Sequence, residues 1–265
     1  MQEEKGDTYI TSKIINLERK FKLLERILND EVSFSDLLLV RGFKYFSYFE
    51  PSKIDGSKLF NLLSKYYIRR FLADFFMFEN VRKEDLNQLM TKWKIKNSTV
   101  QDLLNSRIVL MENDKFFRNP DIRDFSFIVE SLIAFFLNKK FGIDSILNVK
   151  LKELSKGGDI DILGKWKLEL IMIELKESPP NNVSLTELKL TFERFRSVSP
   201  DIFIFALDTT LSIKRNIIDN LTNLYKVNPQ KIREGIYKIS ENSFVVTAKR
   251  DLLLNISYVL YEKIL

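Results

Sequence analysis

The chain contains neither cysteine nor histidine. Without cysteine there is no disulfide framework, no thiolate nucleophile and no thiolate metal site. Without histidine, Ser-His-Asp triads, Cys-His pairs, HExxH zinc sites and imidazole-based nucleases are all excluded. Glycine is scarce as well: none of the eight fits a GxxxxGK[ST] or GxGxxG spacing, which argues against nucleotide-driven motor chemistry within this chain. No apolar run approaches the roughly 18–20 residues of a membrane span. The opening stretch MQEEKGDTYI lacks the basic start and apolar core of a signal peptide, so the expectation is a cytoplasmic protein without membrane contact.

What remains is an ordinary globular composition. With 265 residues and 45% apolar content the chain can bury a sizeable core, with room for two modest domains. The net charge of +6 and pI of 9.2 fit a polyanionic partner, although the excess is mild and spread out. Acid–base or metal chemistry must run on carboxylates, lysine, tyrosine or water. Oxygen-only ligands favour hard cations such as Mg²⁺ or Mn²⁺.

Apolar residues at helical spacing run from Thr8 to Asn29 (Ile10, Ile14, Leu17, Phe21, Leu24). A second helical run, SKLFNLLSKYYIRRFLADFFMF, follows the turn-like PSKIDG. Next come a helix over Lys83–Lys94, a short turn, and a helix N-capped near Asn97 or Ser98. RIVLM and KFFRN then form a hairpin around Glu112-Asn113-Asp114. Helix, turn, helix, hairpin is the order of a winged helix-turn-helix, with STVQDLLNS as its recognition helix. Lys92, Lys94, Lys96, Arg107, Lys115 and Arg118 would contact phosphates. A small helical domain with a solvated charged face, or a protein-binding module, is the competing interpretation.

The second half begins with the helix DFSFIVESLIAFFLNKKFG, ending at Gly142. Strands follow at ILNVKLKEL, DIDIL and KLELIMIEL, the last two joined by a turn at Gly164-Lys165. SLTELKLTFERFRSV reads as helix, DIFIFALD as a buried strand and LSIKRNIIDNLTNLYKV as helix. A hairpin (GIYKISENSFVVTA) and a last helix close an α/β domain with a mixed sheet. On a strand Glu174 and Lys176 share a face, and antiparallel pairing brings Asp161 towards them. Grouping carboxylates among apolar residues is costly unless a cation compensates them. A divalent ion would do so, and Lys176 beside it would orient a water or help deprotonate it.

This ordered set resembles the PD-(D/E)XK nuclease superfamily. Glu130 in FIVESLIAFF matches that family's helix glutamate, Asp161 in GGDIDIL its metal-binding aspartate, and Glu174 and Lys176 in IELKE its Glu-x-Lys pair. The proline that often precedes the aspartate is absent, and Asp159 is an alternative to Asp161. The resemblance covers roughly Phe125 to Asp208. It implies a restriction-endonuclease-like fold and Mg²⁺- or Mn²⁺-dependent phosphodiester hydrolysis of DNA, with RNA left open. Asp161 and Glu174 would hold the metal, Lys176 would position the water, and Glu130 would add a direct or indirect contact. A winged helix ahead of such a domain is similar to Mrr-like restriction enzymes and to the tail of certain archaeal AAA ATPases. The expected division is a helical, winged-helix region over 1–120 and a nuclease-like domain over 121–265. A homodimer would let two sites cut two strands. The alternative is a non-catalytic DNA-binding or regulatory protein on a nuclease-derived fold. Lys189, Glu193 and Arg194 lie on the next helix, where the resemblance implies substrate- or metal-supporting groups; a solvated face explains them equally well, and they receive no role.

Overall fold

A computed structural model describes residues 21, 25–26, 32–44, 46–51, 56–154 and 158–264. The helix expected over Thr8–Asn29 lies almost wholly outside them. The architecture is mixed α/β, a large mixed sheet flanked by helices.

Helix α1 (Phe34–Val40) precedes the short strand β1 (Phe46–Phe49). The long apolar helix expected next is broken at Ser64 and Lys65 into α2 (Gly56–Leu63) and α3 (Tyr66–Phe75). Strand β2 (Val81–Arg82) leads into α4 (Lys83–Trp93), and a left-handed Lys94 (φ 55°) turns the chain into α5 (Asn97–Asn105). The residue preceding α5 is Lys96, and no side chain caps that helix, contrary to the expected Asn97 or Ser98 cap. Strands β3 (Val109–Glu112) and β4 (Lys115–Arg118) pair antiparallel with Glu112 opposite Lys115. Asn113 and Asp114 both have positive φ, 47° and 57°, the backbone that a two-residue hairpin turn requires. Together β2, β4 and β3 make a small three-stranded sheet.

Helix α6 (Phe125–Phe141) is capped by the Asp124 carboxylate and stopped by Gly142 in the left-handed region (φ 67°). Then follow β5 (Asp144–Leu151), β6 (Ile160–Trp166), β7 (Glu169–Lys176), α7 (Leu185–Val198) and β8 (Ile202–Leu207). A π-helical turn over Lys214–Ile218 runs into α8 (Asp219–Tyr225). Strands β9 (Gln230–Arg233), β10 (Ile236–Ser240) and β11 (Ser243–Thr247) and helix α9 (Leu252–Ile264) complete the chain.

Among the described residues the large sheet has eight strands in the order β1-β5-β6-β7-β8-β11-β10-β9. Its centre, β7-β8-β11, is parallel, and both wings are antiparallel. Helices cover both faces, which explains why Leu170–Ile173 is a continuous apolar run. Ile171, Ile173 and Leu175 enter a core shared with α2, α3, α6 and α9, and that core continues into α4, α5 and the small sheet. Leu170 and Met172 enter the opposite core with α1, α7 and α8. By alternation, Glu174 and Lys176 face the α7 side.

The turn between β6 and β7 falls at Lys167-Leu168, with Lys167 at φ 52°, and not at Gly164-Lys165. Gly164 lies inside β6, opposite Ile171. A Cβ there would stand 2.9 Å from Ile143 Cγ2, so this glycine permits close packing where the sequence suggested a turn.

Candidate active site

The strand ladders open where the acidic residues gather. The β6–β7 ladder runs from Trp166 opposite Glu169 to Ile162 opposite Ile173. One step further, Leu175 N–H donates to the side-chain Oδ2 of Asp161 at 2.6 Å. A carboxylate thus stands where a strand would offer a main-chain carbonyl. On the other flank the β5–β6 pairs Leu147–Ile162 and Val149–Ile160 bracket Asn148, which sits opposite Asp161. Asn148 has φ 49° in mid-strand, a conformation asparagine tolerates better than most residues.

Glu174 is 2% exposed. Its Oε1 accepts from Arg194 Nη2 at 2.6 Å and from Lys176 Nζ at 3.3 Å. Its Oε2 is buried and takes no hydrogen bond. Burial first, and the neighbouring Glu174 charge second, push the Asp161 carboxyl up to about 7. Lys176 also lies 3.2 Å from Glu187 Oε1, in the first turn of α7. Burial opposes its charge, but Glu174, Asp161 and Glu187 outweigh that and raise its pKa, so the group stays an ammonium.

Glu130, 3% exposed on α6, accepts a short hydrogen bond from Asn148 Nδ2. Asn148 Oδ1 in turn accepts from Arg123 Nη2 at 2.8 Å. Burial, and then the Asp161 charge, push Glu130 up to about 8, so it carries its proton at neutral pH. Asp159 points elsewhere and pairs with Lys150 at 3.6 Å near the surface.

Asp161, Glu174 and Lys176 therefore come together, and Glu130 approaches Asp161 through the Asn148 bridge. Among the described residues, no three Asp, Glu, His or Cys side chains form a ready metal cage. The donor set nonetheless fits a hard divalent cation. It is all oxygen, and one buried Glu174 oxygen has no other partner. The sequence reading missed Asn148, Arg123 and Glu187, and it named Arg194 without giving it a role. Arg194 is 9% exposed and not on a solvated face. It lies three residues after buried Thr191 and four before buried Val198, so helical spacing would have placed it inward.

A second buried arrangement lies beside the site. Arg69 and Asp208, 1% and 2% exposed, pair through two hydrogen bonds of 2.7 Å. This fastens α3 to the end of β8, whose Leu207 pairs with Lys176. Asp208 N–H donates to the Lys176 carbonyl at 2.8 Å, and Arg70 donates to the Glu177 carbonyl at 3.0 Å. Glu177 itself, pushed up to about 7 chiefly by burial, accepts from Ser126 at 2.7 Å.

Lys92, Lys94, Lys96, Arg107, Lys115 and Arg118 are all exposed. Lys92 is committed to Asp74, at 2.7 Å, while Lys94 and Lys96 flank the α4–α5 turn and Lys115 and Arg118 end β4. No helix among the described residues is long and apolar enough to cross a membrane.

No family model matches the chain, and no curated protein matches it in sequence. Among solved structures it is similar to protein VC1899 from Vibrio cholerae, with a TM-score of 0.54 and 15% identity over 87% of this chain. It is also similar to Can2 from Sulfobacillus thermosulfidooxidans, solved with cyclic tetra-adenylate, with a TM-score of 0.49 and 13% identity over 89% of this chain. The chain spans 61% and 62% of the lengths of these proteins. At such identity the likeness to VC1899 concerns the fold alone.

Proposed function

We propose that the protein is a divalent-cation-dependent nuclease of PD-(D/E)XK type that hydrolyses DNA phosphodiesters. Its α4–α5 and β3–β4 unit would be a winged helix that docks on the nucleic acid. The observation that carries this reading is the convergence of Asp161, Glu174 and the Lys176 ammonium at the opened ends of β6 and β7. Asp161 and Glu174 would hold Mg²⁺ or Mn²⁺. When bound, the ion would polarise the phosphodiester and lower the pKa of a coordinated water. In the hydrolysis, a water molecule gives up a proton to solvent as its oxygen bonds to phosphorus, one ester P–O bond breaks, and the leaving oxygen takes up a proton from solvent. Lys176, kept protonated by its acidic neighbours, donates to the charge that develops on the phosphate and does not act as the base. Glu130, braced by Asn148, sits beyond Asp161 as a neutral acid in the ion-free site. The exposed cations of the small sheet and the α4–α5 turn would track phosphates without reading bases.

A second reading, a non-catalytic DNA-binding protein, is favoured by one observation. Arg194 and Lys176 already compensate Glu174 without a metal. The test incubates the full chain with labelled single-stranded, duplex, flapped and four-way DNA, and with RNA, in EDTA, Mg²⁺ or Mn²⁺. Metal-dependent cleavage abolished in D161N and in K176M supports the nuclease. Binding without cleavage under every condition overturns it in favour of the second reading. Cleavage that survives in both variants would place the chemistry elsewhere.

A further inference from the structure

The guanidinium of Arg194 occupies an unusual position. It reaches from α7 to Glu174 Oε1 at 2.6 Å, and its Nε is buried without a hydrogen-bond partner. Its other side lies against Gly158, ahead of Asp161 in the sequence. A Cβ added there would stand 2.2 Å from Arg194 Nη1, and Gly158 has φ +128°. The glycine thus leaves room for the guanidinium. Lys176 donates to the same Glu174 oxygen from 3.3 Å, so Glu174 stays oriented if Arg194 is lost. The second positive charge has no such replacement.

We propose that Arg194 is a positioning residue that acts through Glu174 as a resident counter-cation: it compensates the acid pair in the empty site and thereby limits its affinity for a divalent ion. This inference rests on the assignment of Asp161 and Glu174 as the ion's ligands. Its physical basis is a competition. The ion and the guanidinium are like charges that approach one buried carboxylate, and in a partly desolvated site their repulsion is strong. With Arg194 gone, the pair carries one more uncompensated negative charge, and a cation gains more by binding. Orientation alone would predict the opposite sign, because losing a bracing hydrogen bond weakens a ligand. The remaining Lys176 contact makes charge the larger effect.

The test is Mn²⁺ titration of the full chain by calorimetry, paired with thermal unfolding in EDTA and in saturating Mn²⁺. R194M should melt lower than wild type in EDTA, yet bind Mn²⁺ about tenfold or more tightly and show a larger Mn²⁺-induced rise in melting temperature. R194K, which keeps the charge, should return affinity towards wild type. R194Q, which removes the charge and keeps a polar donor, should shift affinity in the same direction as R194M. R194Q and R194K decide the matter should R194M fail to fold. A merely structural arginine would lower the melting temperature and leave Mn²⁺ affinity unchanged, and that result, or weaker binding in R194M and R194Q, overturns the proposal. A wild-type Mn²⁺ response that is absent, or that survives in E174Q, overturns instead the ligand assignment on which the inference rests.

Discussion

On the nuclease reading, replacing Asp161 with asparagine should remove activity and, at the same time, stabilise the protein in EDTA. Burial and the Glu174 charge lift the Asp161 carboxyl from an ordinary 3.8 to about 7. Between these values the native state retains a proton that the unfolded chain has released. Stability of the wild type therefore falls as pH rises through that window, and the loss is complete above about pH 7. Taken at face value the shift corresponds to roughly 4 kcal/mol, and partial exposure with local relaxation reduces the expected effect to about 2 kcal/mol. Asparagine removes the charge and keeps an oxygen to accept the Leu175 N–H, so D161N escapes the loss. In EDTA at pH 8, D161N should melt ~4–8 °C above wild type, using about 2–4 °C per kcal/mol for a chain of this size. At pH 4 most of the gap should close, since Asp161 is then protonated in the native state and about half protonated in the unfolded chain. On the same reading Mn²⁺ should narrow or reverse the gap at pH 8, because only wild type keeps both of the carboxylates proposed as ligands. Paired thermal and urea unfolding at the two pH values measures all of this. A D161N protein less stable than wild type at pH 8, or a gain of equal size at pH 4, would refute the claim that the carboxylate is strained by its surroundings.

Arg69→Met leaves the Asp208 charge buried and alone and should cost about 3–5 kcal/mol by urea denaturation, with much of the loss recovered in R69M/D208L; a cost below about 1 kcal/mol would mean that water reaches the pair. On the winged-helix reading, K115A/R118A should weaken duplex binding equally for all sequences and reduce the slope of log affinity against log salt by about two, read by fluorescence anisotropy. K92A should do less, since Asp74 already holds that ammonium, and a loss confined to particular sequences would contradict phosphate contact. Asn148→Ala and N148G both remove the amide that joins Glu130 to Arg123, but only N148A forces an alanine into the left-handed region. N148A should therefore be the less stable of the two by about 1 kcal/mol in urea, and equal stabilities would show that the backbone relaxes out of that conformation.

The parts of the site that were legible in the sequence share one property: local periodicity placed them. Glu174 and Lys176 are two apart on a strand, so their common face follows from the chain geometry, and the apolar residues around them made their charges costly enough to notice. Asp161 was legible only as a residue of the adjoining antiparallel strand. A turn at Gly164-Lys165 would set it opposite Leu168, whereas the turn at Lys167-Leu168 carries the ladder on towards Glu174, so its partner came from the structure. Arg194, Arg123 and Asn148 belong to another class. Each meets its partner across the fold, and each is polar enough to pass for a surface residue until the partner is known. Strand β1 was hidden for a different reason: FSYF is short, sits at a sheet edge and is mostly exposed, so it carries no burial pattern to detect. Gly164 misled because a glycine in a strand can mark either a turn or a close approach, and only the position of Ile143 distinguishes them. The deepest failure is at Asp161 itself. Pairing rules assume that a strand's N–H groups meet backbone carbonyls, yet Leu175 donates to a side chain, and Asn148 opposite Asp161 leaves the extended region. The interactions that open the sheet are those that assemble the acid cluster, so the regular pattern gives out at the place where chemistry is expected. A chain optimised for its sheet alone would have put apolar residues at Asp161, Glu174 and Arg194 and closed the ladder, and the strain it carries instead is the best physical reason to look for a ligand there.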